Sequence, residues 1–312
     1  MKAQILTTAT LIAVFSGALP GADSRLLNMV MPDATVMADV NVDQVKASPF
    51  GQYVLANLLQ AQAQQLQQLA TLIGFDPRKD LDELLLASNK AAGQKTGLLL
   101  GLGTFDPAKI AAAAQLAGAG VETYSGVSII EDPKQQNGFA FLDSKLAVAG
   151  DVADVQAAID RRGNGGPSIP AALLAQVNQL SAAEDVWVLT TVPPSALGPA
   201  AAAPPAKGVN VQNALKQIQS GSGGVKFGSA VALTVQAQAA SPQDASSLGG
   251  VLGLLVSIAQ LQAAQHPEIA ALAQSLVVST QGSTVKITLS VPEAQIEQVV
   301  KPKAAARKVA QM

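Results

Sequence analysis

Residues 284–291 alternate without exception, with Val285, Ile287, Leu289 and Val291 apolar and Thr284, Lys286, Thr288 and Ser290 polar between them. A period of two over eight residues fits a half-buried β-strand and does not fit a helix, whose apolar positions recur every three or four. The Gln281-Gly282 turn and the apolar stretch Leu276–Thr280 ahead of it complete a hairpin. Any fold available to this chain therefore contains an antiparallel sheet.

The pattern recurs along the chain. Thr35–Asp43 puts Val36, Ala38, Val40 and Val42 on one strand face, and Asp185–Val192 again sets valines at alternate positions. Further strands are expected at 81–87, 97–104, 121–130 and 230–239. Helical stretches are expected from Ser48 to about Ile73, over 108–117 behind the Asp106-Pro107 cap, and behind Ser241-Pro-Gln-Asp244 to about 265. Phe139–Ile159 and Val277–Val300 both read as hairpin, acidic cap and helix, the second with a Ser290-Val-Pro-Glu293 capping box. These parallels predict an internal duplication with an offset of about 140–150 residues. The expected class is α+β, with two related halves, each an antiparallel sheet packed with helices. Residues 1–22 are assigned to a signal peptide, 23–165 and 166–300 to the halves, and 301–312 to a flexible tail. The Pro/Ala-rich run 193–208 is read as a loop within the second half.

Met1-Lys2 precedes an uncharged stretch to Leu19, closed by Pro20-Gly21-Ala22 and followed by Asp23 and Arg25. One positive residue, an apolar run and a small-residue exit describe a secretory leader, here read as cut after Ala22. The expected location is periplasmic or extracellular. The chain has no cysteine, which suits an oxidising compartment and excludes a disulfide scaffold, zinc ribbons and thiol chemistry.

Only 13% of the residues are charged, against ~25% in average proteins, while 49% are hydrophobic. A net charge of −2 provides no footprint for nucleic acid, and 3% aromatic content provides no stacking platform. His266 is read as a helix-end residue, and Ser283-Thr-Val-Lys286 as a strand pair facing opposite sides. Gly97–Asp106 is a strand and turn, because Asp106 stands where a pyrophosphate turn needs glycine. Asp76-Pro-Arg-Lys-Asp80-Leu-Asp82-Glu83 is read as capping chemistry, and Trp187 as packing. The glutamines at 60, 62, 64, 65, 67 and 68 form an uncharged polar helix side. Met29, Met31 and Met37 offer thioethers that suit Cu(I), although an apolar helix face accounts for them as filler.

The uncharged stretch 245–261 contains Gly249-Gly-Val-Leu-Gly253 and falls short of a membrane span of about 20 residues. It is expected to pack on the sheet, and helix 245–265 is the candidate wall of an apolar groove through Leu252, Leu255, Val256 and Ala259. No catalytic constellation and no cofactor are expected. The favoured function is a non-enzymatic exported interaction or binding module, with a protein partner or an apolar small molecule and no membrane span once the leader is removed. The alternative is a carrier or sensor of a lipid-like ligand held between the sheet and helix 245–265. A third reading, a hydrolase, would draw on the dispersed carboxylates Asp39, Asp43, Asp80 and Asp82.

Overall fold

The computed structural model describes residues 21–60, 64, 66–67, 70–71, 74–89, 97–132, 136–193, 216–263 and 272–296. The leader residues 1–20, most of the 193–208 loop, His266 and the tail fall outside these.

The fold is α+β, built on one continuous antiparallel sheet of twelve strands. These are β1 (Val36–Asn41), β2 (Leu81–Ser88), β3 (Leu98–Gly103), β4 (Gly120–Tyr124), β5 (Val127–Asp132), β6 (Asn137–Phe141), β7 (Leu146–Asp151), β8 (Val186–Thr190), β9 (Ile218–Lys226), β10 (Ala230–Ala239), β11 (Val277–Gln281) and β12 (Thr284–Pro292). The helices are α1 (Ser24–Leu27), α2 (Val42–Ala47), α3 (Pro49–Gln60), α4 (Pro77–Asp80), α5 (Pro107–Leu116), α6 (Val152–Arg162), α7 (Ala171–Ala183) and α8 (Pro242–Ala263). Separate sheets were expected for the two halves. Instead β1 and β8 pair antiparallel, from Val36 opposite Thr190 to Val40 opposite Val186, and join them. Outward from that pair the order runs β2-β3-β7-β6-β5-β4 on one side and β9-β10-β12-β11 on the other.

Local chemistry starts the helices where the caps were expected. Asp76 and Asp106 accept the backbone N–H groups of Arg78 and Lys109 ahead of first-turn prolines. Ser241 Oγ accepts Asp244 N–H at 3.1 Å and donates to its carboxylate at 2.6 Å. Ser290, by contrast, remains within β12, so it caps no helix. Glu293 turns instead to the start of α3, where its carboxylate accepts from Ser48 Oγ and Phe50 N–H. The expected capping box is thus replaced by a cap 243 residues away in sequence.

The main core lies on one face of the sheet, called here the inner face. Met37, Leu85, Leu98, Leu100, Leu146, Val148 and Trp187 are buried there beneath α1, α6 and α7, with Leu26, Met29, Val155 and Val177 packed onto them. On the outer face, α5 packs Ile110 against Phe105, Phe139 and Phe141. α8 covers the opposite flank with Ala245 and Leu248 against Val285 and Ala239. Phe50, at the head of α3, adds to a cluster with Val231, Val291 and Val225. On β1 the expected apolar face of Val36, Ala38 and Val40 is only half-buried, and it is Met37 and Asp39 on the other face that are buried.

Two glycines make opposite predictions. A Cβ on Gly51 would overlap the Val45 carbonyl oxygen, so Gly51→Ala should cost about 2–3 kcal/mol. Gly250 lies within α8 with nothing near its missing Cβ, so Gly250→Ala should add about 0.5–1 kcal/mol of helix stability. Denaturant unfolding of both variants measures each sign.

Candidate functional site

The lateral register lines up one outer-face residue on every strand. From β11 the row reads Val278, Ile287, Val235, Gly223, Val188 and Ala38. It continues through Leu86, Leu99, Ala149, Phe139, Ile130 and Val121 on β4. All twelve are apolar or glycine. At a strand spacing of ~4.8 Å, the row crosses roughly 50 Å of sheet. Among the described residues, α8 and α5 cover parts of the row toward its two ends, while Val235, Val188, Leu86 and Leu99 in its middle are 38%, 46%, 39% and 37% exposed and Val121 at the β4 end is 40% exposed. Their neighbours on the same strands, Leu85, Leu98 and Leu100, point to the inner face and are fully buried.

At the β2-β3-β7-β6 side the row becomes the floor of a cavity of about 760 Å³. Leu86, Leu99, Ala149 and Phe139 form its base, and Ala114, Ala117 and Ala119 at the end of α5 form its wall. The alanine run of α5 leaves this space, because its small side chains do not fill the gap above the sheet. Asp132 and Asn137 stand at the polar end. The chemistry offered is a long apolar surface with one hydrogen-bonding end, and a volume in the range of small-molecule sites.

The carboxylates divide into separate environments. Asp43 and Asp82 line a polar cleft of about 400 Å³ with Asp23, Glu83, Arg25 and Lys145. Asp39 is 2% exposed on the inner face, where its Oδ1 has no hydrogen-bond partner. Burial, then the charge and hydrogen bond of Glu83, pushes the Asp39 carboxyl up to about 8. Burial also raises Glu83, whose Oε1 accepts Asp23 N–H at 3.0 Å. Trp187 stands opposite Asp39 across the β1–β8 pair, near enough to favour the ionised form, but its indole N–H meets no acceptor in hydrogen-bonding geometry. Asp80 accepts the backbone N–H of Asp76 at 2.7 Å and belongs to the α4 turn. The four carboxylates considered for hydrolysis thus sit in three places, with only Asp43 and Asp82 in one cleft. Among the described residues, no group of three or more His, Cys, Asp or Glu could hold a metal ion.

The predicted groove residues lie on α8. Leu252 is half-buried against the Val285 cluster, Leu255 and Val256 are half-buried, and Ala259 is exposed. They do not line the 760 Å³ cavity, which lies over β2, β3, β7 and β6. α8 is not enclosed either: Leu254, Ile258 and Leu261 are 53%, 38% and 74% exposed. The Pro242–Leu261 stretch is also long and apolar enough to cross a membrane by length and composition, which 245–261 alone is not. Of its paired glycines, Gly249 closes on Thr280 Oγ1 while Gly253 has nothing near it, so the two do not act together. Met29, Met31 and Met37 are 0%, 6% and 1% exposed within the main core. Trp187, 1% exposed, packs as expected, and Gln60, Gln64 and Gln67 are exposed.

Sequence reasoning missed the row residues Leu86, Leu99 and Val188. Their signal was present in Leu84-Leu-Leu86 and Leu98-Leu-Leu100, runs apolar on both strand faces.

No family model matches the chain, and no curated protein does. Solved structures similar in fold include crystal forms III and IV of TP0453, with TM-scores of 0.52 and 0.51. Each is 10% identical, and the match covers 89% of this chain and 97% of that one. At that identity the likeness speaks to the α+β fold alone.

The two-faced strand β3 gives a direct test. Leu99→Asn should cost no more than about 1 kcal/mol, because its side chain is already partly in water. Leu100→Asn, one residue on and fully buried, should cost about 3 kcal/mol or more. Thermal melting of the pair checks which face is open.

Proposed function

We propose that this chain is an exported, non-enzymatic binding module that holds an apolar, acyl-type ligand on the outer face of its sheet. The observation that carries this reading is the exposed middle of the apolar row, running into the cavity over Leu86 and Leu99. Large contiguous apolar surface on a soluble protein marks a place that something covers. A small apolar ligand fits the cavity's size, and the Asp132–Asn137 end accommodates a hydrogen-bonding headgroup. The leader sequence supports export. Each side runs outward as three successive strands and then a reversed run, β1-β2-β3 before β7-β6-β5-β4 and β8-β9-β10 before β12-β11, and this shared pattern, with two more strands in the first half, supports descent of the two halves from one duplicated unit.

The test is direct. The full chain is expressed with its leader in a bacterial host, recovered from the exported fraction, and extracted with organic solvent for mass spectrometry. A stoichiometric acyl lipid is expected, together with saturable uptake of a fluorescent fatty acid by the stripped protein. Leu86→Asp and Leu99→Asp should each weaken that uptake at least tenfold while leaving the melting temperature within a few degrees. Empty extracts and no saturable uptake would sink the reading.

A further inference from the structure

Asp39 and Glu83, 2% and 8% exposed, are neighbouring carboxyls for which no ion pair is found among the described residues. A buried acid pair without a cation is costly, and native folds rarely leave one so. The nearby cations are bonded to other groups, and Arg25 acts on Glu83 only through its charge at a distance. Arg25 binds the Asp23 side chain at 2.8 Å, and Lys145 donates to Thr104 Oγ1 at 2.7 Å. The Asp23 carboxylate adds its own negative charge to the surroundings of Glu83. What does reach Glu83 is the backbone nitrogen of Asp23, the residue that follows the small-residue exit Pro20-Gly21-Ala22.

We infer that cleavage between Ala22 and Asp23 creates the missing cation, an α-ammonium on Asp23 that pairs with Glu83 above Asp39. The inference rests on the export reading. In the step, water's oxygen joins the Ala22 carbonyl carbon as the C–N bond breaks, with an endopeptidase of the exporting membrane as catalyst. Both water protons end on the Asp23 nitrogen, leaving a carboxylate on Ala22 and an –NH3+ group on Asp23. The nitrogen already lies 3.0 Å from Glu83 Oε1, so an amide hydrogen bond becomes a charge-assisted one with no movement of α1. Removal of the leader thereby fastens the segment that carries Leu26, Leu27, Met29 and Val30 into the main core. An α-amino group ordinarily titrates near 7.7–8.0, and pairing with a carboxylate raises that value. The added stability needs an ionised Glu83, so it falls as pH drops through the raised Glu83 value, and it is lost again as pH rises through the raised ammonium value.

The exported protein is purified and its N-terminus determined by mass spectrometry and sequencing, and a chain beginning at Ala22 is made for comparison. The expected terminus is Asp23. At pH 7 the Asp23 chain should melt roughly 3–6 °C above the Ala22 chain, whose ammonium is displaced by one residue, ~3.8 Å. The gap should close above pH ~9.5 and vanish in a Glu83→Gln background. An exported protein with any other terminus, or equal melting of the two chains, overturns the inference and leaves export standing. An uncut chain held in the cytosol overturns the export reading and this inference with it.

Discussion

The pairing of β1 with β8 holds the molecule together. Five residues of each strand are in register, and through them seven strands of the first half and five of the second become one sheet. Backbone hydrogen bonds satisfy the polar edges that two separate sheets would expose. The side chains on this pair then decide what each face can do. Met37, Trp187 and Leu189 are buried among the inner-face helices, whereas Ala38 and Val188 face the opposite way, where Ala38 is half-buried and Val188 is 46% exposed. Of the described helices, α8 and α5 pack toward the two ends of this twelve-stranded sheet, and the exposed apolar row runs between them.

The same junction concentrates the molecule's electrostatic difficulty. Asp39 lies directly opposite Trp187, in the centre of the sheet, with Glu83 as its nearest charged neighbour. In a chain with only 13% charged residues, most carboxylates are exposed, cap helices or pair with a lysine or arginine. Asp185 shows the ordinary solution: although 2% exposed, it pairs with Lys226 and accepts the Phe227 N–H at 2.7 Å. Among the described residues Asp39 and Glu83 have no such ion pair, which directs attention to the Asp23 nitrogen beside Glu83.

Much of the fold was legible. The alternation of 284–291 emerged as β12, the Asp-Pro and Ser-Pro signals became working caps, and Trp187 packed as its apolar neighbours implied. Strand faces were harder. Val36, Ala38 and Val40 share one face of β1, as alternation gave, yet the more deeply buried face is the one with Met37. Where both faces of a strand are apolar, period-two reasoning finds the strand but cannot rank its faces. The groove was assigned to helix 245–265 because that helix is uncharged, while the cavity formed over leucines and alanines far from it in sequence.

The sequence by itself determined the secondary structure, the α+β class and the supply of apolar surface, because these depend on local periodicity and composition. Tertiary structure decided which of that surface is buried, that the two halves share one sheet, and that Glu293 caps α3 rather than its own helix. It also brought Asp23, Asp39 and Glu83 together. These outcomes depend on strand register and helix placement between residues distant in the chain, and no local pattern encodes either of them.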